Sequence, residues 1–193
     1  HYSKWWFGMT ARIQVRRDTN SNWTSNDPVL YSGEFGFTTD TGDLRVGDGV
    51  TNWSSLPVLL STYSAYTPTI AQGATADINK TVTYSKYSRS GDAVTYTANI
   101  AVAGPGTGTP ANDITVSLPV TAATSGLVVG SGYYWDASGN QYPCLVYLKS
   151  TSTVSFLRAD TSSASNNTGI GNDPNIATAS GDLIKFTCTY EVA

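Results

Sequence analysis

Charge is scarce in this chain of 193 residues. Asp, Glu, Lys and Arg make up 13% of it, against about a quarter in an average globular protein. The net charge is −3, and the charges are scattered: five basic and six acidic residues up to residue 60, six and eight beyond. No stripe of Lys and Arg runs along the sequence to follow a phosphate backbone, so nucleic acid is not an expected partner. Histidine occurs once, at a terminus where it makes no credible general base, and cysteine twice. That is too few donors for a four-ligand zinc site, and no metal or cofactor is expected. Apolar runs are far too short to cross a bilayer as a helix, so membrane insertion is not expected. The opening HYSKWWFG has a Lys but not the apolar stretch of a secretory signal.

What is present is Gly, Tyr, Ser, Thr and Asn in quantity, the profile of many short strands joined by polar turns. The expected fold is all-β. Residues 1–11 read as a tail, of which residues 1–8 are either a vector-derived extension or an aromatic anchor built on Trp5, Trp6 and Phe7. From 12 to 60 turns come every few residues, and 61–68, with Pro68, reads as a linker. Residues 69–193 read as an antiparallel β-sandwich or jelly roll. Val94, Tyr96, Ala98, Ile100 and Val102 occupy every other position, the period of a half-buried strand, and Gly91-Asp92 supplies a hairpin turn before it. Ile114–Val120, Leu145–Lys149, Val154–Arg158 and Leu183–Val192 alternate in the same way. Cys144 and Cys188 fall in phase with apolar neighbours and are expected inside, as small buried hydrophobes in preference to a disulfide, which is the alternative. The polar stretch 159–182 is longer than most loops in compact domains.

The acidic stretch TDTGDLRVGDGVTNWSSLP, residues 39–57, has three readings. A calcium loop needs oxygen ligands at alternate positions and a terminal Glu, which Asp40, Asp43 and Asp48 do not provide. A catalytic pair needs two carboxylates at a defined separation, and nothing in the sequence places one. The turn reading explains more. Phe35–Thr39 runs as a strand, Asp40-Thr41-Gly42 turns, Asp43–Val46 returns, and Gly47-Asp48-Gly49 turns again. Asp side chains bond nearby backbone N–H groups, and Gly accepts positive φ.

The run from Arg12 to Pro57, RIQVRRDTNSNWTSNDPVLYSGEFGFTTDTGDLRVGDGVTNWSSLP, resembles a module common at the start of bacteriophage tail-fibre and baseplate proteins. The N-terminal domain of the phage major tropism determinant belongs to this group. Arg16-Arg17, Trp23, Gly36, Arg45, Gly47-Asp48-Gly49, Trp53 and Leu56-Pro57 carry the likeness; Asp18 departs from it, standing where the family has Gly. The resemblance implies an intertwined β-prism and a homotrimer. So short a segment, with Trp23 and Trp53 and little else to cover them, is also expected to bury its apolar surface between chains, with Gly47, Asp48 and Gly49 shaping the turn. Residues 66–193 resemble jelly-roll-like heads of phage fibres through YSRSGDAV (87–94), LPVTA (118–122) and the terminal Gly181-Asp182-Leu183 and Thr189–Val192.

The expected function is that of a non-enzymatic virion protein, assembled in the bacterial host cytoplasm. It would bind other virion proteins of the tail, baseplate or capsid and display a head for a host cell-surface glycan. Candidate recognition residues are Tyr133, Tyr134, Trp135, Tyr142, Asn166 and Asn167, since Tyr and Trp offer flat apolar faces with polar edges; the same aromatics suit a core or a trimer axis. A capsid decoration or head-fibre protein is the alternative, and a glycan-cleaving tail enzyme a remote one, for which no catalytic residue is identified. Sequons at Asn22, Asn52, Asn79 and Asn166 would matter only in a secreted ligand.

Overall fold

The computed structural model describes residues 14–74, 77–103, 108–158 and 169–193. The N-terminal tail, with Trp5, Trp6 and Phe7, lies outside the described residues, as do Asn166 and Asn167. Contacts divide the chain into two compact units, residues 1–60 and 61–193.

The first unit holds β1 (Arg16–Asp18), helix α1 (Asn20–Asn26), β2 (Phe35–Thr38), β3 (Leu44–Val46) and one 3-10 turn at Trp53–Ser55. β2 and β3 form the hairpin read from the Asp40-Thr41-Gly42 turn, Phe35 facing Val46 and Phe37 facing Leu44. Sequence reading missed α1 and the parallel pairing of β1 with β2, which sets Arg16 beside Gly36. The signal for the helix is Thr19, whose hydroxyl accepts the Asn22 N–H as an N-cap. At the other end Asp27 adopts the left-handed conformation and donates its N–H to Trp23 O.

Seven residues are too few for a helix to persist by itself; Trp23 holds it in place. This ring stacks on Trp53 with centroids 4.1 Å apart and planes 15° from parallel, and its Nε1 donates to Phe37 O. The Arg16 guanidinium lies 5.0 Å from the Trp23 ring and that of Arg45 5.0 Å from the Trp53 ring. The stacked indoles are therefore layered between two cations. Arg45 Nη1 also donates to the carbonyls of Trp53, Ser54 and Leu56. Leu30 and Leu56 complete this small core. Gly36 makes the close approach feasible, because a Cβ there would lie 2.4 Å from Trp53 Cζ3. At Gly47 a Cβ would meet Tyr31 O at 2.3 Å, and Gly49 takes φ +85°. Trp23 and Trp53 are 2% and 1% exposed within one chain. The shortness of the segment suggested that neighbouring chains would cover them, but within one chain each ring already covers the other.

The aspartates build turns. Asp48 accepts the N–H groups of Val50 and Thr51 and the Thr51 hydroxyl. Asp40 accepts from Asn20 and Thr41 N–H, and Asp27 from the N–H and hydroxyl of Ser54. Asp18 accepts from Thr19 N–H and the Asn22 amide, so the departure from Gly adds a tie at the start of α1. The Thr51 hydroxyl, with the two backbone donors, holds Asp48 down at about 2. Asp18 is lowered through Asn22, and Asp27 through the Ser54 N–H.

The second unit contains β4 (Ser64–Ala65), β5 (Ile70–Gln72), β6 (Lys80–Ser90), β7 (Ala93–Val102), β8 (Ile114–Ser117), β9 (Val128–Trp135), β10 (Gln141–Leu148), β11 (Thr153–Arg158) and β12 (Leu183–Glu191). All pair antiparallel in one sheet ordered β4-β6-β7-β12-β9-β10-β11-β8-β5. The two edge strands are neighbours in sequence. Laid flat, nine strands would hold them about 38 Å apart at about 4.8 Å per strand. The chain from Ala65 to Ile70 reaches at most about 18 Å, so the sheet must curl until its edges approach. Ile78 N–H, just before β6, donates to Ile70 O on β5 at 2.7 Å. Residues 61–68, read from sequence as a linker, belong to this unit. Ser61 Oγ bonds both the O and N–H of Arg89, β4 pairs with β6, and the Tyr66 hydroxyl bonds Ser117 Oγ and Leu118 O.

The all-β expectation holds here, and the alternation read from sequence faces one core. Val94, Tyr96, Ala98, Ile100 and Val102 are all buried, as are Ile184, Phe186, Cys188 and Tyr190 opposite them. Tyr96 and Phe186 meet edge-on at 5.2 Å. Cys144 and Cys188 are free and buried, and burial raises both thiols to about 12.

Three outcomes follow. Trp53→Ala should cost about 3–5 kcal/mol, the range for deleting a buried aromatic, and Gly36→Ala should destabilise the same unit. Denaturation followed by tryptophan fluorescence would show the first unit unfolding early in both variants, with the β signal in circular dichroism largely kept. Asp48 contributes stability that is fully present above its unfolded value near 4 and lost as pH falls toward about 2. Acid titration should therefore melt the first unit progressively over that window, and Asp48→Asn should flatten the effect. Both thiols should resist a disulfide reagent in native protein and react once it is unfolded; fast native labelling of either would contradict their placement.

Candidate functional site

The four aromatics singled out from sequence divide between the two faces of the sheet. β9 runs Val128–Trp135 and carries three of them in succession, so consecutive side chains point to opposite sides. Tyr134 is fully buried. Its hydroxyl donates to Asp182 Oδ2, while the Ala137 and Ala179 N–H groups donate to the same carboxylate at 2.9 and 2.7 Å. Burial, then the Asp182 carboxylate, pushes the Tyr134 hydroxyl well above its ordinary value. Tyr142 packs against the core beside Tyr134, ring centroids 6.4 Å apart. Tyr134 is thus held in the core, with the partly buried Tyr142 packed beside it. Tyr133 and Trp135 lie on the outward side, Tyr133 exposed and Trp135 half-buried. Sequence reading placed the three together because β9 itself had not been recognised as a strand.

The described part of the 159–182 stretch is packed. Ile170 is fully buried and exchanges backbone hydrogen bonds with Phe156 and Ile114. Beside it, a cleft of about 470 Å³ is lined by Ala71, Asn112, Asp113, Thr115, Lys149 and Asn172, among others. Asp113 is held by Lys149 Nζ at 2.7 Å and by the Gly169 N–H at 2.8 Å. Both carboxylate oxygens are thus engaged in structure. Among the described residues lining this cleft, Asp113 is the one carboxylate, whereas most glycoside hydrolases use two. Among the described residues no group of three or more His, Cys, Asp or Glu is placed to hold a metal, and no helix is long and apolar enough to cross a membrane.

In the first unit, Trp23, Trp53, Gly47, Asp48 and Gly49 form the structural centre rather than a ligand site. Several apolar side chains of this unit are exposed as well: Tyr31 by 83%, Val50 by 79% and Leu60 by 61%. Among the described residues β1 is paired on one side only. A groove of about 720 Å³, lined by Val15, Arg16, Arg17, Glu34 and Phe35 among others, lies beside β1.

Residues 13–51 match the family described as the major tropism determinant N-terminal domain. A hyaluronoglucosaminidase of Streptococcus pyogenes phage H10403 is 42% identical over 45 residues, 23% of this chain and 13% of the relative. That of another Streptococcus pyogenes phage is 42% identical over 48 residues, 25% of this chain and 13% of the relative. The shared segment is thus a small part of those proteins, which are named for an activity. No solved structure matches the chain. The tryptophan pair, the close-packed Gly36 and the Asp48 turn fall within or beside the matched span. Residues 13–51 therefore form a major tropism determinant N-terminal domain, and the chain is phage tail-fibre-like at its N-terminus.

Proposed function

We propose that this chain is a trimeric, non-enzymatic virion protein whose first unit anchors it to the particle. Its second unit is then displayed to bind a glycan on the host cell surface. The observation that carries the reading is the state of the first unit's surface. Its core is complete within one chain, yet Tyr31, Val50 and Leu60 remain widely exposed and, among the described residues, β1 is paired on one side only. Apolar surface of this kind on a small module marks an interaction face. Three copies would cover it, and three weak head sites on one stem would gain avidity without further contacts.

The hydrolase name of the relatives belongs to proteins that share a short segment with this chain. Of the candidate site residues here, none forms a carboxylate pair, so binding is the better-supported reading.

Localised cryo-EM averaging of intact particles tests the assignment. Density at the tail or baseplate supports an adhesin, whereas density repeated over capsid symmetry positions assigns a decoration role instead. Release of reducing ends from host polysaccharide by the purified chain would overturn the non-enzymatic reading. Tyr31→Asp combined with Val50→Asp should leave each chain folded, because both side chains point into solvent. Sedimentation should then shift from trimer to monomer; an unchanged profile would place the contacts elsewhere.

A further inference from the structure

The outward face of β6, β7, β12 and β9 carries a feature that neither the core nor the first unit uses. Hydrogen-bond register aligns Tyr84, Asn99, Lys185 and Tyr133 in one row across the four strands. The next row is Lys86, Thr97, Thr187 and Ser131. Four strands span about 14 Å, and rows two residues apart are separated by about 7 Å.

A β-bulge between Val82 and Tyr84 resets the phase of β6, so Val82 packs toward the core while Tyr84 turns outward, 42% exposed. Bulges re-aim side chains in this way. Each tyrosine holds a lysine: Lys86 Nζ is 5.7 Å from the Tyr84 ring centroid, and Lys185 Nζ is 5.4 Å from that of Tyr133. The ammonium groups are thereby kept over the sheet. Neither forms an ion pair with a described carboxylate. On the outward positions of these strands the one carboxylate is Glu191, at the far end of β12. Thr97 and Thr187, in the Lys86 row, pair through their hydroxyls at 3.0 Å, and Thr95 and Thr189 do so at 3.1 Å in the row beyond it. Each pair uses one hydroxyl proton internally and leaves the other free to donate.

We propose that this face is the ligand surface of the second unit and that its occupant is an acidic polysaccharide. The inference rests on the reading of the chain as a host-glycan binder. The two lysines supply charge complementarity to carboxylates on the chain, the hydroxyl rows match sugar hydroxyls, and the tyrosine edges flank the track. A protein partner fits poorly, since interface cores are depleted in Lys and need contiguous apolar area. Two cations are also few for a nucleic-acid strand, whose affinity comes from many phosphate contacts.

The test measures binding of the full chain to immobilised alginate, with dextran, polyglutamate and oligothymidylate as comparison probes. Alginate should be retained at low salt and released as screening rises. Lys86→Gln and Lys185→Gln should each weaken it up to roughly fivefold, as for an exposed charge contact, and more together. Tyr133→Ala should weaken it too, while Lys149→Gln, in the cleft, should not. Unchanged circular dichroism and melting exclude misfolding. Alginate binding that ignores the lysine variants places the site elsewhere and overturns the proposal, leaving the host-glycan reading intact. Equal or tighter retention on polyglutamate or oligothymidylate overturns it as a glycan surface. Binding to dextran and to host cells that is indifferent to all these variants overturns the acidic occupant. Failure to bind any glycan or the host cell removes the parent reading as well.

Discussion

The first unit depends on two indole rings lying face to face. Among its described residues no element is longer than seven residues, and neither its three-stranded sheet nor its helix would persist without tertiary contacts. The Trp23–Trp53 stack joins the helix to the 3-10 turn, and the two flanking arginines tie that stack to β1 and β3. Every close feature follows from it. Gly36 is bare because Trp53 rests on it, and Arg45 reaches three carbonyls because the turn carrying Trp53 ends beside it. Asp27, Asp40 and Asp48 then secure the loops that deliver these residues.

The second unit solves a different problem by a different constraint. Its edge strands are adjacent in sequence, so the sheet closes toward itself and encloses a core contributed by nearly every strand. Curling also separates two chemistries on the same strands. Inward positions hold Tyr96, Phe186, Tyr134 and both thiols, whereas outward positions of the central strands hold Thr, Ser, Asn, Lys and Tyr. The scarcity of charge in the chain makes the two outward lysines, which no described carboxylate pairs, informative, because few charges are present to begin with.

The two units divide the functional argument in the same way. The family match covers residues 13–51, within the first unit, and no solved structure matches the chain. The function of the second unit is argued from its own surface. The hydrolase names of the short-segment relatives do not reach it, because a shared N-terminal segment carries no information about the residues beyond it.

By itself, the sequence determined that the chain is β-rich, that residues 94–102 and 183–192 alternate toward a core, and that the aspartates after residue 39 sit in turns. These features are local: a period of two, or an Asp-Gly spacing, acts through neighbours a few residues away. Tertiary structure decided the rest. Whether Tyr133, Tyr134, Trp135 and Tyr142 meet a ligand or the core depended on β9 being a strand, which Gly130 and Gly132 obscure in the sequence. Whether Trp23 and Trp53 cover each other or a neighbour's surface depended on a helix whose one legible signal was Thr19. The row from Tyr84 to Tyr133 joins residues from four separate strands through register and a bulge. Register is set by the whole closed sheet, so no stretch of sequence contains it.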